Sequence, residues 1–500
     1  MYPVSKSKIM ACLQCPKRLW LELNRPDLCE VSESTEMAFS VGNQVGEIAR
    51  QIYDPTQVGT LVDIRLAGVN AAVAKTTSLL EFETPIFEAG FSANGARAFA
   101  DVLLPVKASG ELGWRMIEVK SSTSVKDYHR DDVAVQAYVA RSSGIRLTQI
   151  ALATIDSTWT YPGEGNYSGL LVETDMTDEA FGRSKEVESW IAMAQGIAAS
   201  EQEPQIKVGD QCEKPFACGF IDYCNSDRVA AEFPVSWLPR IQAKALSEFV
   251  KNDDVTDMRH VPNQLLNARQ LRVKTHTLAD TVYFDAAGAG LALSEHGFPA
   301  YFMDFETINP AVPIWAQTRP YEQITFQFSV HKLSEAGELS HTDFLDISGT
   351  DPRLGFVVAL VDAVGTNGPV YVYNKGFEGS CLRSLAKQYP LYATTLLAIV
   401  DRFVDLLPVA REHFYHPAQQ GSWSIKDVLP AIAPDLDYQN LVGVRDGQAA
   451  QSAFLVALDK NTPLDRKLVI GSQLLDYCRL DTYAMVRLWQ HFAGRTDLAL

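Results

Sequence analysis

No stretch of this sequence is apolar for the ~20 residues that a membrane-spanning helix needs. The most apolar run, LGFVVALVDAVG at 354–365, is broken by Asp362. The amino-terminal MYPVSKSKIMACLQC lacks the apolar core of a secretory signal. There is no internal repeat, heptad run or low-complexity tract, which argues against solenoids and coiled coils. Nor is there a basic surplus: 44 Lys and Arg against 61 Asp and Glu leave a net charge of −17. That balance argues against tight non-specific binding of nucleic acid over the average surface. Together these absences predict a cytoplasmic protein with no membrane partner. In that compartment thiols stay reduced, so eight cysteines point to metal ligands or buried thiols rather than disulfides.

What is present is the composition of a globular protein, 47% hydrophobic, 21% charged and 10% aromatic over 500 residues. That length exceeds one hydrophobic core and predicts two or three domains. Cys12, Cys15 and Cys29 lie at the start, Cys212, Cys218 and Cys224 near the middle, and Cys381 and Cys478 stand apart. A first domain is expected over 1–230, a connecting region without diagnostic pattern over 231–295, and a second domain over 296–500. In the first, EMAFSVGNQVGEIARQIY reads as a helix, with Phe39, Val45, Ile48 and Ile52 near helical spacing. FEAGFSANGARAFADVLLPV and LGWRMIEVKSS read as strands around a glycine-containing turn, DDVAVQAYVARSSGI as a helix ending at Gly144, and LTQIALATI as a strand. In the second, PAYFMDFETI, ITFQFSVHKL and PVYVYNKG read as strands, and SQLLDYCRLDTYAMVRLWQHF as a helix. Strands alternating with helices make both domains α/β.

Three constellations carry chemistry. Glu118 and Lys120 alternate onto one face at the end of an otherwise apolar strand. An isolated pair of this kind is most often a solvated edge. Here Asp101 precedes another apolar segment, and Gln136 and Tyr138 follow on a helix. Two carboxylates can hold a divalent cation that polarises a phosphate and acidifies a water, and a lysine beside them can orient that water. Second, Cys212, Cys218 and Cys224 recur with five residues between neighbours. Zinc and an iron–sulfur cluster are both compatible with that spacing. Third, Asp304 and Glu306 share one side of a strand, a strand runs into Asn374 and Glu378, and Tyr477 and Asp481 share a helix face at i, i+4. In GSWSIKDVLPAI, Ser424 and Asp427 form a pair resembling a capping box at a helix start, with Lys426 inside the first turn.

The first set resembles the RecB-like branch of the PD-(D/E)XK nucleases. That resemblance implies Asp101 and Glu118 as metal ligands, Lys120 as the catalytic lysine and Gln136 as a helper. The histidine those nucleases carry on an early helix is missing, because Gly46 follows Gly42-Asn43-Gln44-Val45, and Glu47 stands nearby. Relatives of the AddB and CRISPR-associated type bind a [4Fe–4S] cluster through one early and three late cysteines. By that likeness Cys15, in QCPKRLWLEL, joins Cys212, Cys218 and Cys224, and Cys12 is spare. The third set resembles the DEDDy 3′–5′ exonucleases of the RNase H-like superfamily. Asp304, Glu306, Glu378 and Asp481 would then hold Mg²⁺ or Mn²⁺, Tyr477 would orient the attacking water, and Asn374 would support Glu378, which stands where the family usually has aspartate. The whole chain is similar to a bacterial family that fuses two such domains, through VGNQVGEIAR, DFETINPAVP, RPYEQI and SIKDVLP. The expected fold is therefore a PD-(D/E)XK (restriction-endonuclease-like) domain with an iron–sulfur staple, followed by an RNase H-like exonuclease domain. The expected function is a DNA-processing nuclease, with RNA left open and a helicase or another repair or defence protein as a partner the likeness suggests. The alternatives are a chain in which only the carboxyl-terminal domain is catalytic, and a non-catalytic scaffold.

Overall fold

A computed structural model of the chain describes residues 3–108, 111–226 and 230–498. It is a mixed α/β protein that divides into two compact units. Unit 1 comprises residues 1–229 and 310–322; unit 2 comprises 230–309 and 323–500. The short segment 310–322 therefore leaves its sequence neighbours and packs in unit 1, where Ala311 and Val312 are buried with Val45, Ile48 and Leu170.

Unit 1 is built on a seven-stranded sheet. In chain order its elements are β1 (Val4–Ser5), α1 (Lys6–Gln14), α2 (Pro16–Asn24), α3 (Glu33–Tyr53), β2 (Thr60–Leu61), α4 (Ile64–Ala67), α5 (Val69–Leu79), β3 (Ile86–Ala93), β4 (Ala96–Ala108), β5 (Glu111–Lys120), α6 (Asp127–Ser142), β6 (Leu147–Ile155), β7 (Leu171–Asp175), α7 (Thr177–Gly182), α8 (Ser184–Ala198) and α9 (Ile221–Asn225). The strand order is β2-β3-β4-β5-β6-β7, with β1 pairing β4. The turn between β3 and β4 is Asn94-Gly95, both at positive φ (49° and 71°), as a two-residue hairpin demands. Helix α6 carries the chain across so that β6 pairs β5 in parallel. It stops at Gly144, whose φ of 92° closes the helix in a conformation that favours glycine. The helix read from EMAFSVGNQVGEIARQIY is α3, and it buries Val45 and Ile48. Phe39, read there as part of the apolar stripe, is 67% exposed.

Unit 2 contains α10 (Lys244–Asn252), α11 (Ala268–Ala279), β8 (Tyr283–Phe284), α12 (Ala286–Leu293), β9 (Ala300–Ile308), β10 (Ile324–Leu333), β11 (Leu339–Leu345), α13 (Arg353–Val364), β12 (Val370–Val372), α14 (Lys375–Gln388), α15 (Ala393–Asp401), β13 (Phe403–Asp405), α16 (Leu406–His413), β14 (Phe414–Tyr415), α17 (Ile425–Ile432), α18 (Gly447–Leu458) and α19 (Leu464–Phe492). Its five-stranded sheet runs β11-β10-β9-β12-β13, antiparallel on one side of β9 and parallel on the other. Strand alternation divides β9 between two layers. Tyr301, Met303 and Phe305 pack with Phe356 and Leu360 of α13, Leu382 of α14 and Ile399 of α15. The alternate residues face α19, with the Phe302 ring 5.8 Å from Trp489. Buried polar contacts fix α19 on that face: Gln327 donates to the Leu474 carbonyl (2.7 Å), and Ser329 and His331 meet the Thr482 hydroxyl (2.7 and 2.8 Å).

His331 yields a pH prediction. Burial, with His341 and Arg479 adding to it, lowers its pKa from 6.5 to about 3. A histidine depressed in the folded state stabilises the protein above the unfolded value and loses that contribution as pH falls. Stability of the wild type should therefore decline from pH 6.5 toward 3, and His331→Gln should decline less steeply. Urea unfolding monitored across that pH range measures the difference.

Candidate functional sites

In unit 1 the β4–β5 ladder, with Val102 opposite Ile117, sets Asp101, in the middle of β4, beside Glu118 near the end of β5. Asp101 accepts the Val119 N–H at 2.7 Å. Glu118 is 2% exposed and fully engaged: one oxygen accepts from Lys120 Nζ (2.7 Å) and Lys6 Nζ (2.9 Å), the other from Gln136 Nε2 (2.6 Å). The four residues predicted from sequence are thus brought together, with Gln136 aimed from α6 and its Oε1 buried without a partner. Tyr138, read beside it, faces elsewhere and accepts from Asn94 at 2.7 Å.

Three further residues, Lys6, Asp132 and Glu88, complete this cluster. Lys6, at the first position of α1, pairs with both Glu118 and Asp132 (3.0 Å), and Lys120 also pairs with Asp132 at 2.5 Å. Glu88 on β3 is shifted upward by burial and by the Glu118 charge, with Lys6 and Arg50 acting the other way. Glu47, the sequence stand-in for the missing histidine, is exposed. Burial opposes ionisation of Glu118, but Lys120 and Lys6 override it and hold that carboxyl well below its ordinary range. Asp101 moves the opposite way, raised by burial and then by Glu118. Two neighbouring carboxyls with opposed shifts are the arrangement from which acid–base sites are made. The pairing also has structural weight. Lys6→Met leaves Lys120 alone against two buried carboxylates and should cost about 3 kcal/mol, measurable by denaturant unfolding.

The cysteines of unit 1 sort themselves by surroundings. Cys15, Cys212, Cys218 and Cys224 line one small cavity with Leu21 and Phe220, and Lys17, Arg18 and Lys207 stand at its wall. Gln14 clamps the two ends of the unit, donating to the carbonyls of Gln211 (2.8 Å) and Phe216 (2.7 Å). Lys17 and Tyr223 both reach Glu203, at 2.6 and 2.8 Å. Cys12 turns instead into the main core with Val4 and Ile9, where burial raises its thiol to about 11. Cys29 is exposed. Among the described residues, the trio of His, Cys, Asp or Glu donors within 4.8 Å of one another is Asp304, Glu306 and Cys478. Four thiols around one cavity are a donor set that either a zinc ion or an iron–sulfur cluster can use.

In unit 2, β9 presents Asp304 and Glu306 toward α19, opposite Ser329 and Gln327 of β10. Glu378 enters from the first turn of α14, and Tyr477 and Asp481 from α19. Glu306, Glu378, Tyr477 and Asp481 are each 4–7% exposed. Asp304 is raised by burial and by the charges of Asp481, Glu306 and Glu378 in that order, so the other three carboxyls all act on it. Burial raises Asp481 to about 6 and Glu378 to about 8. Glu378 Oε2 is buried with no partner. Acids this crowded and this dry either hold their protons or ionise against a cation. Cys478 donates its S–H toward the Asp304 carbonyl at 3.9 Å, and burial holds the thiol protonated. The groups left to bind an ion are therefore hard oxygens, the set suited to Mg²⁺ or Mn²⁺.

Tyr438, which the sequence did not single out, and Lys426, which it did, frame this site. Tyr438 donates to Asp481 at 2.6 Å. Lys426, at the start of α17, stands 5.2 Å from the ring centres of both Tyr438 and Tyr477, donates to the Arg445 carbonyl (2.8 Å), and its charge acts on Glu306 and Asp481. Ser424 occupies the N-cap position, but its hydroxyl donates to Asp427 (2.6 Å) instead of accepting a backbone N–H, so the capping box is not formed. Asn374 is exposed at φ 90°, and its backbone N–H, not its side chain, is fixed by Asp405 (3.0 Å).

Residues 301–424 match a family described as a domain of unknown function (DUF2779). That stretch holds Asp304, Glu306 and Glu378 and ends before Lys426, Tyr477 and Asp481. The chain is also 27% identical over 215 residues to the uncharacterized protein MG366 of Mycoplasma genitalium, a match covering 37% of this chain and 31% of that protein. It thus spans about a third of the relative's length.

Proposed function

We propose that the chain is a metal-dependent nuclease with two active sites, the first of them in a PD-(D/E)XK-type unit held by a [4Fe–4S] cluster on Cys15, Cys212, Cys218 and Cys224. The observation that carries the reading is the gathering of Glu306, Glu378 and Asp481, all buried, within electrostatic reach of Asp304 and beside Tyr477. We read unit 2 as a DEDDy exonuclease domain of RNase H-like fold. In it Asp304, Glu306, Glu378 and Asp481 would hold Mg²⁺ or Mn²⁺; in unit 1, Asp101 and Glu118 would. Such ions, when bound, polarise the scissile phosphate and lower the pKa of a water. Tyr477 orients that water, and its phenol stays protonated because burial and Asp481 push its pKa up. Lys426 offsets charge that develops on the phosphate. In unit 1 Lys120 takes that role, with Gln136 fixing the Glu118 carboxylate.

The second reading, catalysis by unit 2 alone with unit 1 binding nucleic acid, is favoured by one feature. Glu118 already meets two lysines and Gln136, which leaves it less able to take a metal. End-labelled single- and double-stranded DNA and RNA, incubated with anaerobically purified protein and Mn²⁺, separate the two. If Lys120→Ala and Asp304→Asn remove different products, both sites cut. If Asp304→Asn alone abolishes cleavage, unit 1 is a binding platform. No metal-dependent cleavage of any substrate would sink both readings.

A further inference from the structure

Unit 2 contains a second cleft, of about 530 Å³, lined by Arg240, Arg269, Arg411, Trp423, Tyr373 and Asn374. We propose that it binds the phosphodiester backbone of a single-stranded nucleic acid and guides the strand to the carboxylate site, an inference that rests on the nuclease reading. The charge is the first argument. In a chain of net charge −17, the segment between Asp257 and Asp280 holds Arg259, Arg269, Arg272 and Lys274 and no acidic residue. Helix α11, which carries three of these, supplies Arg269 to the cleft. Arg240 and Arg411 are exposed and make no ion pair with any described residue. The nearby acids are already engaged. Glu412 pairs with Arg269, Asp405 accepts the N–H groups of Asn374, Lys375 and Leu407, and Asp427 accepts the hydroxyls of Ser422 and Ser424. Free, fork-shaped guanidinium groups suit phosphate oxygens.

The cleft is built rather than incidental. Gln270, 2% exposed, donates to the Pro239 carbonyl at 2.8 Å and fixes the neighbouring Arg240. Arg240 itself adopts φ 54°, a left-handed backbone that residues other than glycine seldom take and that gathers at ligand-contact positions. Across the cleft, Gly421 at φ 79° lies so near Trp237 that an added Cβ would sit 1.6 Å from its carbonyl oxygen, so only glycine lets the two walls meet. Arg272 donates to the Arg411 carbonyl at 2.9 Å, setting the third arginine. Asn374, Ser424 and Ile425 also line the cleft. Asn374 is one turn before Glu378, and Ser424 and Ile425 precede Lys426, so the cleft shares two structural elements with the carboxylate site. Two exposed, unpaired guanidinium groups beside the Trp423 and Tyr373 rings offer phosphate contacts and stacking faces of the kind that hold a single strand.

The test uses the full chain in EDTA, where hydrolysis does not intervene, with labelled single-stranded DNA and RNA oligonucleotides, a DNA duplex of the same length, and fluorescence anisotropy over a salt series. The Arg240→Gln/Arg411→Gln variant should bind several-fold more weakly. The slope of log K against log salt should fall by about 1.4, roughly 0.7 for each lost phosphate contact on a single strand. Arg240→Lys/Arg411→Lys keeps the charge and should keep the slope. Both arginines are exposed, so an unchanged melting temperature shows that the fold is intact. Unaltered affinity and slope in the Gln variant, or a loss confined to duplex DNA, overturns the proposal. Cleavage of a dinucleotide with Mn²⁺, measured separately, isolates the nuclease reading: it should survive in both arginine variants. Its absence from the wild type while the arginine-dependent slope persists refutes that reading and leaves this one standing.

Discussion

Asp304→Asn is expected to lower Mn²⁺-dependent hydrolysis by unit 2 at least about a thousandfold, because metal-ion catalysis is worth several kcal/mol and each 1.36 kcal/mol is tenfold in rate. Asparagine keeps the shape of aspartate, so the loss measures charge rather than packing. The same substitution should make the metal-free protein more stable. The charges of three buried carboxyls act on Asp304, so removing its own relieves repulsion, by about 1–2 kcal/mol if the site follows the usual exchange of stability for activity. Addition of Mn²⁺ should raise the melting temperature of the wild type and leave that of Asp304→Asn nearly unmoved. Thermal melts in EDTA and in Mn²⁺, run beside the cleavage assay, test both halves. An Asp304→Asn protein that retains cleavage and still gains stability from Mn²⁺ would place the metal elsewhere.

The largest stability effect is expected at the cysteine cavity. Cys218→Ser should give protein without iron or sulfide and with unit 1 unfolded or strongly destabilised. A centre that joins residue 15 to residue 224 closes a loop whose entropy is worth about 5 kcal/mol by the chain-closure relation, and metal binding of this kind is folding free energy. Cys12→Ser and Cys29→Ser serve as controls and should retain the brown colour, because Cys12 faces the core and Cys29 the solvent. Iron, sulfide and zinc analysis of anaerobically purified protein is the measurement. A colourless protein with stoichiometric zinc would replace the cluster with a single ion.

The elements of the fold are largely legible where the chain repeats with a simple period. Strands β4, β5, β6, β9 and β10 and helices α3, α6 and α19 all contain the apolar runs that mark them in the sequence. The region 231–295 has no periodic signal, yet it forms α10, α11 and α12. Those helices are short, and their apolar faces are defined by what they pack on. Asp427 shows a local limit. The Ser-x-x-acid pattern is present, but the carboxylate attracts the Ser424 hydroxyl itself, so the bond that a capping box needs never forms.

Sequence alone determined which side chains could do chemistry. A strand places alternate residues on one face and a helix aligns i with i+4. Spacing along the chain is therefore enough to pair Glu118 with Lys120, Asp304 with Glu306, and Tyr477 with Asp481. Local geometry of that kind is fixed by covalent periods of the backbone. Only the tertiary structure decided what surrounds those pairs. Lys6 reaches Glu118 across more than a hundred residues, Tyr438 reaches Asp481 from a single 3-10 turn, and Arg240 and Arg411 line one cleft. The same holds for segment 310–322, which lies between two strands of unit 2 and packs in unit 1. These relations carry no sequence period, because they depend on how separate elements bury their apolar faces together, and packing is a property of the whole chain.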